Sequence, residues 1–284
     1  MVSLEEGVGV QFKLKRRGVF RSLDYAAASI EIRRLIRQVQ PDIINPHFAS
    51  GYGFSVALAG RRKLAPVVLQ LWGSDILIVP KKSSLHRWKT KYALQGADCV
   101  LGDSDFVLDQ AEHLAPLRQR KTIPWGIEQE FLELRKTDLT ISHPVRVIVP
   151  RPHEKVYNNL FLLETLAPKI NEGEISVTFP DFGGHVDSFR ARAGELCGGL
   201  IQFYPKMQRR DFLAFLAEHD VYLSGAVSDS SPVSLLEAMG LGLIPIAADI
   251  PGIREWLTPK SGFTFELDRA DSLTRAIGAV IEKA

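Results

Sequence analysis

Cysteine is nearly absent. The chain has two in 284 residues, Cys99 and Cys197, far apart and set among apolar or glycine-rich neighbours. That excludes a disulfide framework, fits reduced thiols and points to an intracellular chain. An excess of one charge is missing too: 35 basic residues stand against 33 acidic ones, a net +2. A nucleic-acid protein would show a strong basic bias, so nucleic acid is not an expected partner. No apolar run reaches the roughly 20 residues of a membrane span. Val67–Val79 comes closest, and Asp75 interrupts it. The opening MVSLEEGVGV lacks the basic stretch and apolar core of a secretory leader, so a cytoplasmic chain is expected. Metal-ligand spacing is likewise lacking. The seven histidines form no HxxxH and the two cysteines no CxxC, no DxD motif is read as a metal site, and no metal is expected. There is no Walker-type loop, no GxGxxG and no GxSxG. Internal repeats and low-complexity stretches are not evident.

What is there is an ordinary globular composition, 45% apolar and 24% charged. A chain of this size can bury roughly three quarters of its unfolded surface. Strand-length apolar runs alternate with helical patterns from end to end. The strand candidates are Val8–Leu14, Ile43–Asn45, Val67–Leu71, Cys99–Leu101, Thr122–Pro124, Arg146–Val149, Ser176–Phe179, Ile201–Phe203, Val221–Ser224, Ile244–Ala247 and Phe263–Phe265. Helical stretches lie between them. In Ala26–Val39, for example, Ile32, Leu35, Ile36 and Val39 form an apolar stripe with Arg33, Arg34 and Arg37 off it. Short unbroken apolar strands in alternation with helices imply an α/β fold with parallel sheets covered on both faces. The polar, aperiodic stretch Glu133–Pro144 reads as a linker, which divides the chain into residues 1–140 and 141–284.

In open parallel sheets, ligands bind beyond the carboxyl ends of the strands. The segments to watch are therefore Pro46-His47, Trp72 to Asp75, Ser104, Trp125-Gly126, Arg151 to Lys155, Asp181 to Gly184 and Asp229 to Ser231. The richest is the run from Ser228 to Gly242. Ser231 is suited to cap a helix and Pro232 to open it. The amides of Val233, Ser234 and Leu235 would then point out of the helix start, where the helix dipole also favours an anion. Asp229 precedes that start and Glu237 follows eight residues later, so phosphate donors would lie between two hydroxyl-accepting carboxylates. A sugar joined to a phosphate matches this pattern. Ordinary capping chemistry produces the same local pattern.

Several blocks together resemble a known family. They are PDIINPHFASGYG (Pro41–Gly53), LWGSDIL (Leu71–Leu77), IPWGIE (Ile123–Glu128), HDVYLS (His219–Ser224) and, most specific, PVSLLEAMGLGLIPIAADIPGIREWL (Pro232–Leu257). In this order they resemble retaining glycosyltransferase family 4, of the GT-B fold, whose bacterial members build cell-surface and exported polysaccharides. The resemblance implies two Rossmann-like domains and transfer of a hexosyl group, with retention, from a nucleotide diphosphate sugar to a glycan or lipid-linked acceptor. The nucleotide sugar is a substrate, and no cofactor is implied. Glu237 would bind the ribose hydroxyls, and Asp229 takes the place of the family's first, longer acid. Arg151 and Lys155 would hold the diphosphate, and His47 would face the donor sugar. The helix start from Ser231 to Leu235 and the loop at Gly183 would complete the donor side. Gly51, Trp72 and Asp75 would lie on the acceptor side, where Trp72 stands in place of a family histidine.

No residue stands out as a covalent nucleophile, so front-face substitution is expected. The family also implies a strand–helix–strand unit before Val8 and a long closing helix that this chain does not show. The first domain is therefore expected to be incomplete, with donor binding retained and transfer weakened. Two other readings remain: a non-catalytic nucleotide-sugar-binding module and a GT-B-like nucleotide-sugar epimerase. Pro80–Leu94 mixes Lys81, Lys82, Arg87, Lys89 and Lys91 with Leu85, Trp88 and Tyr92. Such a stretch could rest on an anionic membrane at the inner face. A solvated helix face with a few buried anchors would read the same way.

Overall fold

The computed structural model describes residues 2–3, 12–14, 21–60 and 65–284. The strand expected at Val8–Leu14 lies largely outside the described residues. Val2–Ser3 (β1) and Phe12–Lys13 (β2) form a short parallel pair. Contacts divide the chain into two compact units, Met1–Pro124 and Trp125–Ala284.

In the first unit, helix α1 (Arg21–Val39) is followed by a π-helical turn (Phe48–Gly53) and α2 (Phe54–Leu58). Then come β3 (Val68–Gln70), α3 (Ser74–Leu77), α4 (Ser84–Gly96), β4 (Cys99–Gly102), α5 (Asp105–Leu114) and β5 (Arg120–Thr122). The sheet runs β3-β4-β5, all parallel. Single bridges Ile44↔Val67 and His47↔Gln70 extend it beyond β3. The run expected as a strand at Ile43–Asn45 therefore makes only an isolated pairing. On α1 the apolar stripe is partly buried: Ile32 and Ile36 enter the core while Val39 stays exposed. Ser83 and Ser104 open α4 and α5 by accepting the amides of His86 and Val107.

The second unit begins with α6 (Gln129–Glu133) and continues β6 (Val145–Ile148), α7 (Asn159–Asn171), β7 (Ile175–Pro180), α8 (Val186–Cys197), β8 (Gln202–Tyr204) and α9 (Arg209–Ala217). It ends with β9 (Val221–Ser224), α10 (Val233–Leu241), β10 (Ile244–Ala248), α11 (Pro251–Arg254), β11 (Phe263–Phe265) and α12 (Ala270–Ile281). Its six parallel strands lie in the order β11-β10-β9-β6-β7-β8. Helices cover both faces, which is why Val221 to Ser224 are buried without alternation. The two parallel sheets are those of an α/β protein.

The segment expected as a linker packs onto the second unit. Lys136 Nζ lies 3.0 Å from Asp220 Oδ1, and the Ser142 amide donates to Asp220 Oδ2 at 3.4 Å. Asp220 also takes two bonds from the Arg146 side chain, at 3.0 and 3.2 Å. Burial alone would raise its pKa. These cations instead hold the carboxyl well below the usual range.

Candidate functional site

The strand order of the second unit reverses between β9 and β6, so the loops after these two strands diverge and leave a crevice at their carboxyl ends. The loop after β6 brings Arg151 there, and the loop after β9 brings Asp229. The Arg151 guanidinium pairs with Asp229 and donates to Ser234 Oγ at 3.4 Å. Ser234 Oγ in turn meets Tyr222 Oη at 3.1 Å. The Tyr157 ring lies 4.4 Å from the guanidinium carbon, a cation–π contact. Asn159 Nδ2 ties down the Arg151 carbonyl at 2.9 Å. Arg151 Nε is buried and has no hydrogen-bond partner, so one strong donor is left over. Burial raises the pKa of Asp229, and the Arg151 charge pulls against that rise.

Helix α10 starts one residue later than expected. Pro232 is extended (φ −71°, ψ 108°) and takes the cap position in place of Ser231. A proline has no amide to lose, and here its carbonyl already accepts from Leu235 at 2.9 Å and Leu236 at 3.3 Å. The Leu235 amide is therefore spent inside the helix and is not available to a ligand. Val233 and Ser234 supply the free amides of this helix start. Ser231 is buried and its Oγ has no partner among the described residues.

Glu237 lies one turn into α10 and its side chain is 4% exposed. Arg209 at the start of α9 reaches to 2.8 Å of its Oε1. The contact is a close ion pair between a buried acid and a half-exposed cation. Burial raises the Glu237 pKa, and Arg209 opposes it. Gly252 explains how the acidic loop is held. A Cβ there would sit 2.2 Å from the Asp229 carbonyl oxygen, so only glycine lets α11 press against this loop.

Gly183 (φ +128°) is in the loop after β7. Its α-carbon packs so closely that a Cβ would lie 2.3 Å from the His153 amide nitrogen. Its place beside the loop after β6 is a packing requirement. Lys155 is exposed in the 3₁₀ turn Lys155–Tyr157 and forms no ion pair among the described residues. Arg151 and Lys155 share a loop but not their partners.

In the first unit, His47 ends the bridge beside β3. Trp72 Nε1 donates to its Nδ1 at 3.2 Å, so Nε2 carries the proton and donates to Asn45 Oδ1 at 2.8 Å. Asn45 is itself anchored to the Val68 carbonyl. Burial lowers the His47 pKa, consistent with a neutral ring. Asp75, expected on the acceptor side, is fully buried. Its two oxygens accept the amides of Ala49 (2.7 Å) and Trp72 (3.0 Å), so it fixes both loops and does not face solvent. Burial pushes its pKa up to about 6. Gly51 is buried under Tyr25, whose ring would lie 3.3 Å from a Cβ there.

The sequence reading passed over one D-x-D tripeptide, Asp103-Ser104-Asp105. Its groups serve α5: Ser104 caps the helix and donates to Asp103 Oδ1 at 3.4 Å, and Asp105 accepts from Thr122. Among the described residues no cluster of three or more metal-ligating side chains occurs. Tyr157, Tyr222, Arg209 and Gly252 were also missed. The P-G pair that opens α11 was a readable signal, whereas the other three reach the site only through tertiary packing.

Comparison with known proteins agrees with this architecture. A family model described as "Glycosyl transferase 4-like" matches residues 5–104, and one described as "Glycosyl transferases group 1" matches residues 143–283. The chain belongs to this GT4-like, group 1 glycosyltransferase family and has the GT-B fold. Among similar proteins, TuaC of Bacillus subtilis (strain 168), named as a teichuronic acid biosynthesis glycosyltransferase, is 27% identical over 251 residues. That match covers 85% of this chain and 61% of the relative. A glycosyltransferase from Rickettsia africae ESF-5 superposes with a TM-score of 0.78 at 16% identity, over 99% of this chain and 79% of the other. Anabaena Alr3699/HepE, in complex with UDP-glucose, does so with a TM-score of 0.74 at 17% identity, over 88% and 72%.

Proposed function

We propose that the protein transfers a hexosyl group from a nucleotide diphosphate sugar to a glycan or lipid-linked acceptor in polysaccharide synthesis, with retention of configuration. The observation that carries this reading is the cluster at the crevice: Arg151 against Asp229 and Ser234, free amides at the start of α10, and buried Glu237 behind them. A departing nucleoside diphosphate gains negative charge. The Arg151 guanidinium and the Val233 and Ser234 amides are fixed donors for it. Glu237 accepts the ribose hydroxyls. Asp229 accepts a hydroxyl of the donor sugar, which also frees Arg151 for the diphosphate. Asp229 is tied to Arg151, so no covalent intermediate is invoked and the acceptor oxygen attacks the face from which the diphosphate leaves. His47 in the first unit supports the transfer as a neutral ring.

The UDP-glucose bound to the Anabaena protein makes that donor the first to try. A lipid-linked acceptor fits helix α4, where exposed Leu85 and Trp88 stand among the cations Lys81, Lys82, Arg87 and Lys91. No helix among the described residues is long and apolar enough to cross a membrane. The test is release of nucleoside diphosphate by the chain with a panel of UDP-, GDP- and ADP-sugars and a polysaccharide-lipid extract. Acceptor-dependent release with one donor supports the reading. Donor binding without release across all acceptors would leave a binding module, and interconversion of donor sugars without acceptor would make it an epimerase.

A further inference from the structure

The loop after β6 serves both faces of the second unit's sheet. Right-handed crossovers from a strand order that reverses at β9 and β6 put α9 and α10 on one face and α7, α8 and α12 on the other. The packing agrees, since α10 touches α9 while α7 touches α8 and α12. Arg151 turns toward α10. The residues just after it border a separate cleft of about 450 Å³ between the starts of α7 and α8.

Both helices open into this cleft without a side-chain cap. Asn158 precedes α7 in a left-handed conformation (φ 54°), and His185 precedes α8. The first α7 amide with a backbone acceptor is that of Leu162. In α8 the amides of Asp187 and Ser188 come before the first such bond that runs back from the helix body, at Phe189. Two helix starts thus aim unspent amides and the positive ends of their dipoles at one space.

Two residues that line the cleft, Asn158 and Asn159, each hold a buried amide atom without a partner. Asn158 Nδ2 is a donor without a partner, and Asn159 Oδ1 an acceptor without one. Asn159 is only 4% exposed. Its Nδ2 is bound to the carbonyls of Arg151 and Pro152, which fixes the amide and leaves Oδ1 as an acceptor. Buried polar groups are rarely left unpaired. Lys155 lines the cleft and carries no ion pair among the described residues, whereas Arg192 on the opposite wall is already matched by Glu164 and Glu195, and the acid of the lining, Glu154, accepts the Gly184 amide at 2.7 Å. The Phe189 ring, stacked 4.0 Å from His153, gives an apolar floor.

We propose that this cleft is a second ligand site, distinct from the donor crevice, for a small hydroxylated phosphate ester. The phosphate lies against the two helix starts, the Asn158 amide and Lys155. A hydroxyl of the same molecule donates to Asn159 Oδ1.

The test is calorimetric titration of the full chain with glycerol 3-phosphate and with inorganic phosphate, each with and without saturating UDP. Two variants address the site. Ser188→Glu adds an acid that suits the helix start but repels phosphate. Asn158→Gly removes the amide and keeps the left-handed backbone. Glu237→Ala is the control for the donor crevice, and thermal melting confirms that each variant folds. Glycerol 3-phosphate should bind at least about threefold more tightly than phosphate, the gain from one net hydrogen bond. Ser188→Glu should weaken it by about tenfold or more and Asn158→Gly by about threefold, as for lost charge-assisted contacts. UDP and Glu237→Ala should leave it unchanged. The absence of saturable binding, equal affinity for the two probes, displacement by UDP, or a loss in Glu237→Ala matching that in Ser188→Glu would each overturn the proposal.

Discussion

At the scale of single residues, the second unit keeps two carboxylates under cover and gives them opposite tasks. Asp220 is saturated by Arg146 and Lys136 and acts as a staple. Glu237 is the opposite case, buried with Arg209 as its one ion-pair partner among the described residues. A carboxylate left short of hydrogen bonds in this way is prepared for ligand hydroxyls. Glu237→Ala should weaken nucleotide-sugar binding by about 1.5–3 kcal/mol, the range for hydrogen bonds to a charged group. Calorimetry with the folded variant checks this, and an unchanged affinity would make Glu237 a structural partner of Arg209. Asp75 in the first unit makes a pH prediction. Its folded pKa of about 6 lies above the ordinary value, so the native state binds the extra proton between about 4 and 6. Wild-type stability relative to Asp75→Asn should therefore rise as pH falls through 6 toward 4. Asn keeps one acceptor but turns an NH₂ toward the other amide, so the variant should also be less stable throughout. Parallel denaturation curves for both proteins between pH 7 and 4.5 would show whether the gap moves with the expected sign.

At the scale of elements, the alternation of strands and helices was plainly legible. The run Val221–Ser224 is a strand over the same residues in sequence and structure, because a strand buried on both faces is a continuous apolar run; Phe263–Phe265 coincides too, as an edge strand with Thr264 exposed. Boundaries that depend on a cap or an edge were not. Ser231 and Pro232 both suit a helix start, and only the extended ψ of Pro232 decides between them. Thr122–Pro124 was read as a strand, yet the pairing covers Arg120–Thr122, an edge strand whose exposed polar residues carry no apolar signal. The turn Phe48–Gly53 and the short helix Ser74–Leu77 were missed. They are too short for periodicity and are tied together by one buried acid, Asp75, which sits in the second and accepts the amides of Trp72 just before it and of Ala49 in the first. The site was legible as a set of loop ends but not as contacts, since Arg209 and Glu237 or Arg151 and Asp229 meet only through the sheet order. The glycines that let loops touch carry a prediction of their own. Gly183→Ala places a methyl 2.3 Å from the His153 amide nitrogen at a φ that disfavours any side chain. Backbone must shift, so the variant should lose about 2 kcal/mol or more of stability, the range for strained positive-φ sites. A nearly unchanged melting temperature would show that the loops after β6 and β7 are free to separate.

At the scale of the whole molecule, the question is what neutralises a leaving diphosphate. The charge that develops is large, and glycosyl transfer needs it stabilised by a divalent cation or by fixed protein donors. This chain sets out fixed donors at the crevice. Arg151 is held by Asp229, Ser234 and Tyr157 before any ligand arrives and still has Nε to offer. The nine-residue helix α10 adds two free amides and the positive end of its dipole. A cation placed among these groups would repel the guanidinium and compete with it for the phosphate oxygens. The one D-x-D tripeptide of the chain does not offer a substitute, because Ser104 and Thr122 already engage its carboxylates at the start of α5. Donor binding and transfer should therefore survive EDTA, and Arg151→Ala should abolish transfer in a way that added magnesium does not restore. Turnover measured with and without chelator, in wild type and in Arg151→Ala, distinguishes the two sources of charge. Loss of wild-type activity on chelation, recovered with magnesium or manganese, would mean that the crevice holds the diphosphate through a metal and that Arg151 only orients it.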